Sequence, residues 1–156
     1  MAMTSPDLLC QVTLMTSKRH LRRQKIDDVN KMGDTANDLE QKLQENGMQL
    51  VTRVFVNDVA DAVRNLKRSN ARIIVGLFYE VVARQIMCQA FKAGLFGPRY
   101  VWFILGWFSE NWFLPSENDE RPVNCTRDEM AMAAENHFTT EALMFGQEGL
   151  ATESGI

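Results

Sequence analysis

The sequence contains few of the residues on which enzyme chemistry depends. Among 156 residues there are two histidines, His20 and His137, and neither has a second ligand at metal-site spacing. There is no Cys-x-x-Cys pair and no glycine-rich phosphate loop, and the order of residues suggests no nucleophile beside a base. We therefore expect a protein that is not an enzyme and that holds no metal or cofactor.

Strong charge and long apolar runs are also missing. The net charge of -3 argues against a nucleic-acid-binding protein, whose domains are usually basic. The longest apolar run, residues 100–108, is shorter than the roughly 18 to 20 residues of a membrane helix and fits a buried strand better. Residues 1–10 lack the charged start and apolar block of a signal peptide. The length and the 46% hydrophobic content suit one globular domain.

Apolar and amphipathic segments alternate from residue 49 onward, which predicts an α/β fold with a parallel sheet and flanking helices. The predicted strands cover residues 49–56, 73–78, 100–105 and 138–145. The predicted helices begin after Asp34 or Thr35, after Asn57 or Asp58, at Glu80 with a stop at Gly94, and at a Thr126–Glu129 capping box. Such a fold is typical of small-ligand-binding domains.

Tyr79 and Trp107 follow two of these predicted strands. A strand–helix–strand unit is almost always right-handed, so the two strands should be parallel neighbours whose carboxyl ends open on one edge. Open parallel sheets bind their ligands at that edge. The two aromatic residues are therefore candidate ligand contacts, and packing in the core or at its rim is the alternative.

The ends of the chain differ from the middle. Residues 18–25 contain five Lys or Arg in eight, which predicts a solvated helical face, with a nuclear-targeting or phosphate-binding arm as the alternative. Residues 146–156 are small and polar and are expected to be disordered. We therefore divide the chain into a divergent, partly basic segment (1–33), an α/β domain (34–145) and a tail (146–156).

The cysteines and one short motif bear on the cellular compartment. The chain has three cysteines, Cys10, Cys88 and Cys125. This odd and low number by itself favours reduced intracellular thiols. Asn124-Cys125-Thr126 is an N-glycosylation pattern, which has meaning only in a secreted chain. The acidic residues within 116–120 lack the spacing of a calcium loop and predict a solvated turn.

Four segments together resemble one family. The segments are NARIIVGLFYE (70–80), LFGPRYVWFILGWFSENWF (95–113), NCTRDEM (124–130) and HFTTEALM (137–144). They are similar to the extracellular Venus flytrap domain of metabotropic GABA type B receptors of the subunit 1 type. The resemblance covers roughly residues 54–144. It implies a two-lobed fold of the periplasmic-binding-protein kind, of which this chain matches most of the second lobe.

The resemblance also implies roles for individual residues. Tyr79 and Trp107 match second-lobe contacts to the agonist, Cys88 and Cys125 match a lobe-two disulfide, and Asn124 matches a glycosylation site. The implied ligand is GABA, bound weakly or not at all by the isolated chain, because the first-lobe groups and a downstream glutamate that hold it in the family are missing.

The implied partners are a second receptor subunit and, through membrane domains that this chain lacks, a G protein. The implied location is the extracellular side of the plasma membrane. We therefore expect a truncated receptor, either a fragment or an incomplete gene model. The alternatives are a small cytosolic α/β module that binds a nucleotide or a protein, and a gene fragment without activity.

Overall fold

The computed structural model describes residues 11–16, 26–115 and 122–140, in which strands and helices alternate. The elements are β1 (Gln11–Thr16), α1 (Ile26–Glu45), β2 (Gln49–Phe55), α2 (Val59–Arg68), β3 (Ile73–Leu77), α3 (Glu80–Ala93), β4 (Val101–Leu105), α4 (Arg127–Ala134) and β5 (His137–Thr140). The alternation is that of an α/β fold, as the sequence predicts.

The five strands form one parallel sheet in the order β2-β1-β3-β4-β5. From β1 the chain passes to β2 on one side, and it then crosses to β3 on the other side and continues outward to β5. The direction of winding therefore reverses between β1 and β3. In open parallel sheets, such a reversal leaves a crevice outside the carboxyl ends of the strands, where ligands bind.

Helices cover both faces of the sheet, and each face has its own apolar core. On one face Met32 and Ala36 of α1 pack with Leu77 and Leu105. On the other face α2, α3 and α4 cover a larger core. Its fully buried side chains include Leu66, Ile74, Phe78, Ile86, Met87, Ile104 and Met130. Burial on both faces explains why β3 and β4 are nearly continuous apolar runs.

Three helix ends match the sequence analysis. Asp58 accepts a hydrogen bond from the backbone N–H of Asp61 at 2.9 Å. Thr126 and Glu129 form the reciprocal capping box, with the Thr126 N–H donating to Glu129 Oε2 at 2.7 Å. Gly94 ends α3 with a φ of 73°, a left-handed conformation that glycine adopts without strain.

Two features of the amino-terminal part were not predicted. β1 lies inside the sheet, between β2 and β3. α1 begins at Ile26, so Asp34 and Thr35 lie inside the helix and the prediction that one of them caps it is wrong. The physical reason is that Met32 and Ala36 share the buried face of α1 and hold the turn around Gly33 in the helix. The described sheet thus includes part of segment 1–33.

Several predictions fall on residues outside the described ranges. These are the basic run 18–25, the acidic residues within 116–120, the tail 146–156 and the second half of the predicted strand 138–145, of which β5 is the first part. The division of the chain into three segments stays a prediction.

Candidate functional site

Tyr79 and Trp107 lie at equivalent positions just beyond the ends of two neighbouring parallel strands. In the register of the sheet Gly76 pairs with Ile104, and each aromatic residue lies three positions further along its own chain segment. Tyr79 stands two residues beyond the end of β3, and Trp107 stands two residues beyond the end of β4. Both therefore follow the carboxyl edge of the sheet, and Tyr79 follows one of the two strands at which the winding reverses.

The two aromatic residues differ in their surroundings. Trp107 is 65% exposed and is among the large apolar side chains that the structure leaves most open to solvent. Tyr79 is half-buried and packs against the cluster that includes Leu77 and Leu105. Tyr79 thus contributes to packing on the α1 face, whereas the indole of Trp107 is available for contact with another molecule.

The loop that carries Trp107 is held to the start of α3 by Glu80. One carboxylate oxygen of Glu80 accepts a hydrogen bond from Arg84 Nη1 at 2.5 Å. The other accepts two bonds from Ser109, from the backbone N–H at 3.2 Å and from the hydroxyl at 3.0 Å. Ser109 lies two residues after Trp107, so this carboxylate holds the loop that carries Trp107 to the start of α3.

Arg84 fixes the same loop at a second point. Its side chain is buried, and Nη1 also donates to the carbonyl oxygen of Trp112 at 2.9 Å. Trp112 is buried as well and makes edge contacts with the rings of Phe108 and Phe113. The loop after β4 is therefore anchored by an apolar cluster and by charge-assisted hydrogen bonds.

The same contacts act on the ionisation of Glu80. Burial raises the pKa of its carboxyl group, but the hydrogen bonds from Arg84 and Ser109 and the charge of Arg84 outweigh that effect. The net pKa lies below the ordinary value, because these donors favour the ionised form. The charged carboxylate is thus the form that holds the loop.

A disulfide joins α3 to the segment before α4. Cys88 and Cys125 are both buried, and their Cα atoms lie 5.7 Å apart. The bond closes a separation of 37 residues. Asn124, the residue of the glycosylation pattern, is exposed immediately beside this link.

A cavity of about 570 Å³ lies on the face covered by α2 and α3. It is lined by the start of α2, by Gln85, Cys88, Gln89 and Lys92 of α3, and by residues 122–124. Neither Tyr79 nor Trp107 lines it. The cavity borders the disulfide and Asn124, and it is separate from the two aromatic residues.

Two negative observations apply to residues 11–16, 26–115 and 122–140. No three His, Cys, Asp or Glu side chains in these ranges are grouped so that they could hold a metal ion. None of the helices there combines the length and the apolar character that crossing a bilayer requires.

The geometry defines a class of protein: an open parallel α/β sheet, covered by helices on both faces, of the kind that binds small molecules outside the carboxyl ends of its strands. Residues 26–154 match the family described as "Receptor family ligand binding region". The chain belongs to this family.

Individual relatives narrow the comparison. The chain is 45% identical over 116 residues to the gamma-aminobutyric acid type B receptor subunit 1 of Caenorhabditis elegans, a match that covers 74% of this chain and 13% of the relative. It is 48% identical over 111 residues to subunit 1 of Mus musculus, covering 70% of this chain and 11% of the relative. Identity to subunit 2 of Homo sapiens is 27% over 129 residues, covering 82% of this chain and 14% of that protein.

The comparisons confirm the family resemblance, and they do not favour the cytosolic module. The relatives are receptors by name, and the chain spans roughly an eighth of their length. The roles of Tyr79, Trp107 and Asn124 stay predictions.

The sequence analysis missed the contacts of Glu80 and Arg84. Their spacing of four residues on a helix is itself a signal for an ion pair. The bonds to Ser109 and Trp112 join residues 28 or 29 positions apart, and the order of residues gives no sign of them.

Proposed function

We propose that this chain is part of the ligand-binding region of a GABA type B-like G protein-coupled receptor and forms the second-lobe half of its agonist cleft. The identity of 45% to a type B receptor subunit 1 supports the receptor type. The observation that carries the site is the equivalent placement of Tyr79 and Trp107 beyond β3 and β4, at the carboxyl edge of a parallel sheet.

The chemistry of the two side chains suits a small zwitterion. GABA has a charged group at each end of a short methylene chain. The exposed indole of Trp107 can cover the methylene groups, while the ring of Tyr79 faces a charged end. A cation–π contact between the Tyr79 ring and the ammonium group is worth roughly 0.5 to 2 kcal/mol.

In this proposal a second receptor subunit pairs with the one that contains this chain, and a G protein is engaged only through membrane domains elsewhere in the receptor. The binding region faces the extracellular side of the plasma membrane. The Cys88–Cys125 disulfide supports this location, because disulfides persist mainly in oxidising compartments.

The test is a chimeric receptor in which this chain replaces the matching segment of the C. elegans subunit 1, expressed with a subunit 2. We expect GABA to activate G protein signalling through the chimera. A chimera that reaches the cell surface and does not respond to any GABA concentration contradicts the proposal. The native subunit and a chimera carrying the matching mouse segment are the controls.

A titration of the isolated chain tests how much of the site it contains. GABA has about seven heavy atoms, so even at a ceiling near 1.5 kcal/mol per atom an intact site gains about 10 kcal/mol. With only the Tyr79 and Trp107 contacts, we expect millimolar affinity or weaker. Micromolar binding would show that the assignment to one half of a cleft is wrong.

A further inference from the structure

The carboxylate of Glu80 lies between the first turns of α3 and the loop after β4 and bonds to both. One oxygen faces Arg84 in the second turn of α3, and the other faces Ser109 in the loop after β4. Both oxygens are used by the protein. Because both carboxylate oxygens already accept hydrogen bonds from Arg84 or Ser109, Glu80 is not placed to bind a ligand directly.

The hydrogen-bond chemistry at this point requires two acceptors. The guanidinium of Arg84 and the backbone N–H of Ser109 can only donate. An ionised carboxylate presents an acceptor to each of them. A glutamine of the same shape has one acceptor oxygen, so its amide group would face one of the two donors and lose that bond.

Trp107 depends on this arrangement because it has few contacts of its own. Its side chain is 65% exposed, and it lies two residues before Ser109. Beyond Ser109 the chain is held again where Arg84 donates to the Trp112 carbonyl. Phe108, the next residue, packs against the ring of Trp112, and the backbone at Ser109 is the nearest described hydrogen-bonded anchor on the carboxyl side of the indole.

We propose that Glu80 and Arg84 are positioning residues for Trp107, which they hold at the carboxyl edge of the sheet in the orientation that receives an agonist. The agonist role rests on the proposed function, whereas the positioning rests on the contacts alone. The two parts of the proposal can therefore be tested separately.

The positioning is tested in the full chain by fluorine NMR after labelling with 5-fluorotryptophan. Replacing each tryptophan by phenylalanine assigns the resonances. In Glu80→Gln we expect the Trp107 resonance to move toward its position in the unfolded chain. The Trp102 resonance should stay in place, because its indole N–H donates to the Leu95 carbonyl inside the core.

Glu110→Gln is the matched control, since it removes one negative charge from an exposed position in the same loop. It should leave both resonances unchanged. Ser109→Ala removes the hydroxyl bond and keeps the N–H bond, so its effect on Trp107 should be intermediate. If the Trp107 resonance is the same in Glu80→Gln as in the wild type, or if Trp102 moves with it, the positioning role is wrong.

The agonist part is tested in the chimeric receptor by a double-mutant cycle between Glu80→Gln and Trp107→Ala. Glu80→Gln should raise the GABA concentration for half-maximal response about three- to tenfold in the wild-type background. It should have no further effect when Trp107 is already alanine, because a positioning residue acts through the residue that it positions. A purely structural role would lower potency equally in both backgrounds.

The outcomes separate the two proposals. If Trp107→Ala leaves potency unchanged, the agonist contact in the proposed function is wrong, and the NMR result still decides the positioning. If Trp107→Ala lowers potency and Glu80→Gln adds its full effect to it, the coupling between Glu80 and Trp107 is wrong and the agonist contact stands.

Discussion

The ring of Phe78 occupies the space beside Gly76 into which any larger side chain would project. A Cβ atom on Gly76 would lie 2.6 Å from Cε1 of that ring and closer still to Cζ. Phe78 is fully buried between the sheet and the helices α2 to α4, so its ring has little room to move. The glycine near the carboxyl end of β3 is therefore a requirement of packing.

Gly76→Ala should lower the free energy of unfolding by about 1 to 3 kcal/mol, because the added methyl group overpacks the core. Thermal or urea unfolding measures the change. Gly33→Ala in α1 is the control: a Cβ there meets no atom within 4 Å, and the helix should gain up to about 1 kcal/mol. Equal stabilities of Gly76→Ala and the wild type would contradict this account of Phe78.

The middle of the fold could be predicted because its signals are local. The bounds of α3, Glu80–Ala93, follow from helical spacing and a terminal glycine, and the capping box at Thr126 is visible as a motif. β1 was missed for the opposite reason. Its six residues, QVTLMT, alternate between polar and apolar only from Gln11 to Leu14, which is too short a pattern to indicate a strand, and a basic run follows it in the sequence.

The candidate site also has one part that the sequence predicts and one part that it does not. The placement of Tyr79 and Trp107 beyond neighbouring strands follows from the handedness of one strand–helix–strand unit, which the sequence reveals. The bonds from Glu80 to Ser109 depend on how the loop after β4 folds back onto α3. That path is a tertiary property, and residues 29 positions apart carry no local pattern that predicts it.

The lowered pKa of Glu80 predicts how the stability of the chain depends on pH. A carboxyl group with a folded-state pKa below its ordinary value of about 4.5 stabilises the fold above that pH, and this contribution is lost as pH falls through the folded-state pKa. The wild type should therefore be more stable than Glu80→Gln at pH 7, and the difference should shrink below about pH 4.5.

Unfolding midpoints measured for both proteins between pH 7 and pH 3 check this dependence. Glu110→Gln, the exposed loop variant, should follow the wild-type curve. A constant difference between the wild type and Glu80→Gln over the whole range would contradict a stabilising role for the ionised carboxylate.

The Cys88–Cys125 bond should contribute strongly to stability. It closes a separation of 37 residues, for which the chain-entropy model gives about 3 to 4 kcal/mol. The double variant Cys88→Ala/Cys125→Ala should lose about this amount in a urea titration, and a reductant should shift the wild type toward it. Cys10→Ala is the control, because it leaves the bond intact. A wild-type midpoint that does not respond to reductant would show that the thiols are not linked.

Asn124 should carry a glycan when the chain is secreted behind an added signal peptide. The residue is exposed beside the disulfide and two positions before the cap of α4. Asn124→Gln should remove the mass shift that a glycosidase removes from the wild type. Thr126→Ser should keep both the glycan and the helix cap, whereas Thr126→Ala should lose the glycan and about 1 kcal/mol of stability. An unmodified Asn124 in the secreted protein would contradict this prediction.

The two aromatic residues should respond differently to truncation in a chimeric receptor that carries this chain. Trp107→Ala should reduce GABA potency about tenfold, in line with the loss of about one to two kcal/mol of apolar contact, while surface expression stays near normal because the indole is 65% exposed. Tyr79→Ala should reduce potency and also lower expression, because its ring packs against Leu77 and Leu105.

Tyr79→Phe separates the two roles of that residue, because it keeps the packing ring and removes only the hydroxyl group. Its expression should be near normal, so any loss of potency then reports on the ligand. A core role for both aromatic residues predicts the reverse pattern, in which expression collapses and the receptors that reach the surface keep their potency. Measuring the cell-surface expression and the GABA potency of each variant therefore decides whether Tyr79 and Trp107 contact the ligand or belong to the packed core.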